Sequence, residues 1–163
     1  MLTKASFTAE EWSFVRDAPH LAAMATATAA SSGLFGSISE AMTAGKEFVE
    51  AFKSPRELYR AISHPEEMKA VRDAIQTQLR TLEPGKAGEW IQSAALEKCR
   101  QAIAVVAQKG TPEEVSEYRA WIVEVAGKIA NAAKEGGFLG FGGERVSAPE
   151  KGFLDQLRQV VGA

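Results

Sequence analysis

Apolar positions recur at three- and four-residue spacing through most of the chain, and no segment alternates convincingly at the period of two that a half-buried strand requires. From Pro65 to Leu82 the stripe is Met68, Val71, Ile75, Leu79 and Leu82, with charges between them: an amphipathic helix. From about Lys86 to Gln108 it is Trp90, Ile91, Ala94, Ala95, Cys99, Ala102, Ile103 and Val106, a long helix central to the fold. Thr111-Pro-Glu-Glu114 has capping-box spacing and starts a helix that buries Val115, Tyr118, Ile122, Val125, Ile129 and Ala132, with Trp121 beside them. The last helix, from about Ala148, buries Phe153, Leu154, Leu157 and Val161.

The first half is more punctuated. Thr8-Ala-Glu-Glu11 is a capping box that starts a helix near Ala9. Asp17-Ala-Pro19 is expected to break or turn it, because the residue before a proline resists the helical region. Leu21 to Ala30 then reads as a buried, Ala-rich central helix. A helix over Ser37 to Lys53 has Ile38, Met42, Gly45, Val49 and Phe52 on one side, widened by Phe48. Ser54-Pro-Arg-Glu57 reads as another capping box, opening a short helix with Leu58, Tyr59 and Ile62 inside, and His64 flanks the next start. The pattern predicts one all-α domain over residues 1–163, a bundle of about seven or eight helices.

The stretch Glu135 to Glu150 stands apart. It holds five glycines and the apolar Phe138, Leu139 and Phe141, then Ser147-Ala-Pro-Glu150, a further capping box. This is a helix stop, an ordered apolar loop and a helix start. Three roles fit the loop: closing the end of the bundle, presenting Phe138, Leu139 and Phe141 to a protein partner or a membrane surface, or offering backbone groups to a phosphate or metal. It lacks the Lys-Ser/Thr ending of a P-loop and the preceding strand of a dinucleotide fingerprint. Residues Ala29–Glu40 echo Ala132–Glu150 as Ala-rich helix, Gly/aromatic loop and Ser/Glu helix start. Two pseudo-symmetric halves would produce this, and so would chance in an Ala- and Gly-rich chain.

Composition narrows the function classes. Of 163 residues, 45% are hydrophobic and 25% charged, with a net charge of −2 and no basic face that would favour nucleic acid. Residues Met1 to Arg16 lack the apolar core of a signal peptide, and the Leu21–Ser32 run is too short to span a bilayer. The lone Cys99 excludes an internal disulfide and fits a reducing, cytoplasmic setting, most simply as a small core residue.

No catalytic constellation emerges. His20 and His64 each adjoin a proline at an expected helix start, and neither has a second ligand four residues away. No zinc pattern and no Gly-x-Ser-x-Gly elbow occurs. Most carboxylates fall in first turns, where the helix dipole favours them, or on solvated faces. Glu40, Glu144 and Glu150 flank the two Gly-rich loops, so with loop carbonyls they are the candidate ligands for a divalent cation, and no other cofactor is expected.

With these motifs in hand, the chain resembles the TerB-like family of helical domains, named for tellurite resistance. In Gly142-Gly-Glu-Arg-Val-Ser-Ala-Pro-Glu150, residues Gly143, Val146, Ser147 and Glu150 match the family's loop-then-helix start, and Gly142 stands where the family has an acidic residue. The earlier start matches through Gly36, Ile38, Ser39 and Glu40 and also lacks the acidic residue. The resemblance implies a compact all-helical fold, a stress-associated or interaction role, and in some members a divalent metal held by acidic loop residues. The function expected is therefore non-enzymatic and exercised through protein contacts or self-association, the alternative being cation binding. Thermal unfolding in EDTA, and then with calcium, magnesium or manganese, separates the two. A bound ion raises stability by about 2.7 kcal/mol at a hundredfold over its dissociation constant, whereas a protein-contact domain shows no shift with any of the three.

Overall fold

The computed structural model describes residues 1–29, 44–135 and 148–162. Those residues form seven α-helices and no strand, an all-α bundle. After a 3-10 turn over Lys4–Ser6 come α1 (Ala9–Ala29), α2 (44–52), α3 (Glu57–Ile62), α4 (Pro65–Leu79), α5 (Ala87–Lys109), α6 (Pro112–Glu135) and α7 (Ala148–Val161). α1 packs chiefly along α5 and then α6, α7 lies across α1, α5 and α6, and α4 rests more lightly on α1.

The capping boxes at Thr8 and Thr111 form as their spacing predicts. The Thr8 amide donates to Glu11 Oε2 at 2.7 Å, and the Glu11 amide donates back to Thr8 Oγ1 at 3.2 Å. The Thr111 amide donates to Glu114 Oε2 at 2.9 Å, and the Glu114 amide donates back to Thr111 Oγ1 at 3.3 Å. Glu114 Oε1 also accepts from the Leu2 amide at 2.5 Å, which ties the N-terminus to α6. Hydrogen bonds from these backbone donors, the Thr111 amide foremost, hold the Glu114 carboxyl below the usual range. Leu2 then seats on Gly110, where a Cβ would meet Leu2 Cδ1 at 2.9 Å and the Val106 carbonyl at 3.1 Å. A side chain at position 110 would push Leu2 Cδ1 aside and crowd the Val106 carbonyl.

Pro19 does not end its helix. α1 runs unbroken from Ala9 to Ala29 with Pro19 fully buried inside it. Proline has no N–H, so the Val15 carbonyl four residues earlier loses its helical donor. Tyr118, on α6 and 0% exposed, supplies the replacement: its hydroxyl donates to the Val15 carbonyl at 2.7 Å. The bond comes from another helix, so the local signal at Asp17-Ala-Pro19 is overridden. With α1 continuous, Val15, Ala18, Ala22 and Ala25 all reach zero exposure, as do Ala95, Cys99 and Ala102 on α5, and small side chains let the two helices approach closely. Cys99 Sγ sits 3.8 Å from the Ala18 carbonyl, and burial pushes its thiol up to about 12. It is a neutral core residue.

Other local expectations shift. In α2 the buried positions are Phe48 and Ala51, while Val49 and Phe52 remain 50% and 42% exposed. The helix is thus turned by about one residue, roughly 100°, from the face that Gly45, Val49 and Phe52 would define. Phe48 sets this orientation: it stacks on His20 at 4.0 Å and meets the edge of Trp121 at 6.2 Å. Trp121 in turn stacks on Tyr59 at 4.3 Å, so one aromatic ladder joins α1, α2, α6 and α3. Lys128 on α6 pairs with Glu47 of α2 at 2.8 Å. Ile38, Met42 and most of the proposed internal echo lie outside the described residues. α3 starts at Glu57 rather than directly after Ser54, because the Ser54 hydroxyl accepts from the Arg56 amide at 3.2 Å in a local turn.

Glu67 does more than favour the start of α4. It accepts from Lys4 Nζ, from Trp12 Nε1 at 3.1 Å and from Arg16 Nη1 at 3.3 Å, joining the N-terminal turn, α1 and α4. Partial burial pushes its carboxyl up, and these three donors outweigh that and hold it below the ordinary range.

Replacing Tyr118 by Phe should cost about 1–3 kcal/mol in urea unfolding, since it leaves a buried carbonyl without a donor. The cost should shrink in a Pro19→Ala background, where residue 19 regains the N–H for Val15. Equal costs in both backgrounds would refute the substitution of one donor for the other.

Candidate functional site

Of the residues singled out for chemistry, Glu40, Glu144, Phe138, Leu139 and Phe141 lie outside the described residues. Glu150 lies in the first turn of α7 and is 2% exposed, enclosed by the bundle rather than presented to solvent. Among the described residues, no three His, Cys, Asp or Glu side chains converge as a metal site.

The described residues form a different site. A groove of about 500 Å³ runs between α1, α2 and α4. α1 contributes His20, Ala23 and Met24, and α2 contributes Ala44, Gly45 and Phe48. α4 supplies Met68, Val71, Ile75 and Leu79, the stripe visible in its sequence, with Arg72 and Gln76 alongside. Val71 and Ile75 are buried on this face, while Met24, Met68 and Leu79 stay partly exposed.

The groove's two ionisable groups differ sharply. His20 is 7% exposed, its ring lies against Phe48, and its Nε2 is 3.2 Å from the Ile62 carbonyl. In the tautomer that makes this bond, Nε2 carries the proton. Burial pulls its pKa down to about 4, with the nearby Arg16 charge acting the same way and the Ile62 bond opposing both. The proline-based expectation that His20 starts a helix is corrected: it lies inside α1 and links α1 to α2 and α3. His64 does flank a start, accepting from the Glu66 amide at 3.3 Å as the N-cap of α4. Arg72 is exposed and has no ion-pair partner among the described residues, because neighbouring Asp73 is taken by Lys69.

A second concavity, of about 320 Å³, lies between the N-terminus, α3 and α6. Most of its charges are already paired: Arg56 makes a bidentate pair with Glu117, at 2.9 and 2.7 Å, and Glu114 holds the Leu2 amide. The larger groove is the better binding surface, with apolar walls, two polarisable Met side chains and a cation and an amide on its lining. Its one buried titratable group, His20, is neutral at physiological pH.

The stripe on α4 was visible in the sequence, but its incomplete cover was not, since spacing shows a face and never what packs on it. Met24 and Met68 were the nearest signal, as flexible side chains recur on adaptable surfaces. Comparison with family models, curated proteins and solved structures returns no match.

The low pKa of His20 carries a stability consequence. Its folded value lies below the unfolded value of about 6.5, so its contribution is full above that pH and is lost as pH falls toward about 4. Urea unfolding should lose roughly 3 kcal/mol from this group between neutral pH and pH ~4. In His20→Gln the same interval should be flatter by that amount, and an unchanged slope would show that His20 is not the group titrating.

Proposed function

We propose that this chain is a non-enzymatic helical domain of the TerB-like kind that acts through protein contacts, and that its contact surface is the groove between α1, α2 and α4. One observation carries the reading: α4 lays an apolar stripe of three turns, Met68 to Leu79, along a groove that the rest of the described chain leaves open. An amphipathic helix is the natural occupant. Its own i, i+3, i+4, i+7 side chains fit between two helical walls, and the Met side chains adapt to its shape. Val49 and Phe52, exposed on the outer face of α2, extend the apolar surface. The resemblance at Gly142 to Glu150 supports the same class of role in a stress response. The cation-binding alternative gains nothing from Glu150, which is enclosed.

The test is a partner captured on the immobilised protein, identified, and titrated as its helical segment. Met24→Gln/Met68→Gln should weaken that binding by about tenfold or more with little change in the unfolding midpoint, since both side chains are only partly buried. Unchanged affinity in this variant would remove the groove from the interface. Loss in Phe138→Ser/Phe141→Ser instead would place the contact on the Gly-rich stretch.

A further inference from the structure

Arg119 is a partly buried charge with no ion-pair partner among the described residues. It lies on α6 two turns from the helix start, and its Nε is fully enclosed without a hydrogen-bond partner. No described carboxylate pairs with it, although most other cations of the bundle have such a partner. Arg119 lines a solvent-connected pocket of about 400 Å³ where the end of α5, the start of α6 and the end of α7 meet. Gly110, Pro112, Ser116, Ala120 and Gly162 are among its walls, and none of the lining residues is acidic. Ser116 lies three residues before Arg119, so both side chains fall on one helix face.

The end of α7 is shaped around the guanidinium. Gly162 has φ +71, and a Cβ there would come within 3.0 Å of Arg119 Nη1. Glycine therefore meets two demands at once, a left-handed backbone and room for the arginine. Arg119 has no hydrogen-bond acceptor among the described residues, and an anion in the pocket would supply one to the guanidinium nitrogens that reach it.

We propose that this pocket is a small-oxyanion site. A carboxylate or phosphate accepts from the Arg119 guanidinium and the Ser116 hydroxyl, and a short apolar body rests on Val115 and Ala120. The site is separate from the α1/α2/α4 groove and does not depend on the role assigned there.

The test is calorimetry and thermal unfolding in an oxyanion-free chloride buffer at constant ionic strength. Inorganic phosphate and propionate are the probes and distinguish the two sources of oxyanion. At least one should bind saturably at millimolar concentration and raise the midpoint. Arg119→Gln should abolish both effects, and Ser116→Ala should weaken binding several-fold. The Arg119→Gln protein should unfold in anion-free buffer at or above the wild-type midpoint, because it loses an uncompensated charge. Absence of saturable binding by either probe would overturn the proposal, as would binding that survives in Arg119→Gln. A clear fall of the anion-free midpoint in Arg119→Gln would also overturn it, by showing that the guanidinium already has its partner within the chain.

Discussion

The bundle depends on a hydrogen bond that a proline makes necessary. Pro19 leaves the Val15 carbonyl without its helical donor, in the part of α1 that packs deepest against α5 and α6. An isolated helix would kink or end there. The Tyr118 hydroxyl reaches the carbonyl from α6 and lets α1 continue. Continuity keeps Ala18, Ala22 and Ala25 on one line with Val15, so α1 can lie close along α5. It also carries His20 to the adjacent face, against Phe48 and the Ile62 carbonyl.

From that face the second layer is built. His20, Phe48, Trp121 and Tyr59 form a chain of ring contacts across four helices. The chain sets how α2 is turned and gives α3 something to pack on. α4 is held by other means, the Glu67 carboxylate gathering Lys4, Trp12 and Arg16 at its start. Anchored at its start by polar contacts and resting on α1 through Val71 and Ile75, α4 has part of its apolar stripe uncovered by the described residues. A buried, neutral histidine lies at the inner wall of the groove, and an arginine with no ion-pair partner among the described residues lies at its lining.

Much of the fold was legible in the residues. The Thr8 and Thr111 capping boxes, the stripes of α4 to α7 and the small-residue character of α1 and α5 all follow from contacts within one turn, where spacing and propensity decide. The candidate site was less legible. The glycine-rich stretch attracts attention because its composition is unusual, yet the open surface of the described chain lies along α4, whose sequence is that of an ordinary amphipathic helix. Arg119 was likewise indistinguishable from any other helical arginine, since its isolation depends on what α5 and α7 place around it.

Helix content, most helix starts and the inward side of the long helices follow from the residues alone. These are set by interactions three and four residues apart. Packing between distant segments settles that Pro19 is tolerated, that α2 buries Phe48 and leaves Val49 half-exposed, and where the groove and the Arg119 pocket lie, while a local turn at Ser54 delays the start of α3. Each of those outcomes turns on a partner far away in the chain or on a competing local hydrogen bond. Tyr118 is 103 residues from Val15, and no periodicity along α1 can announce a donor that arrives from α6.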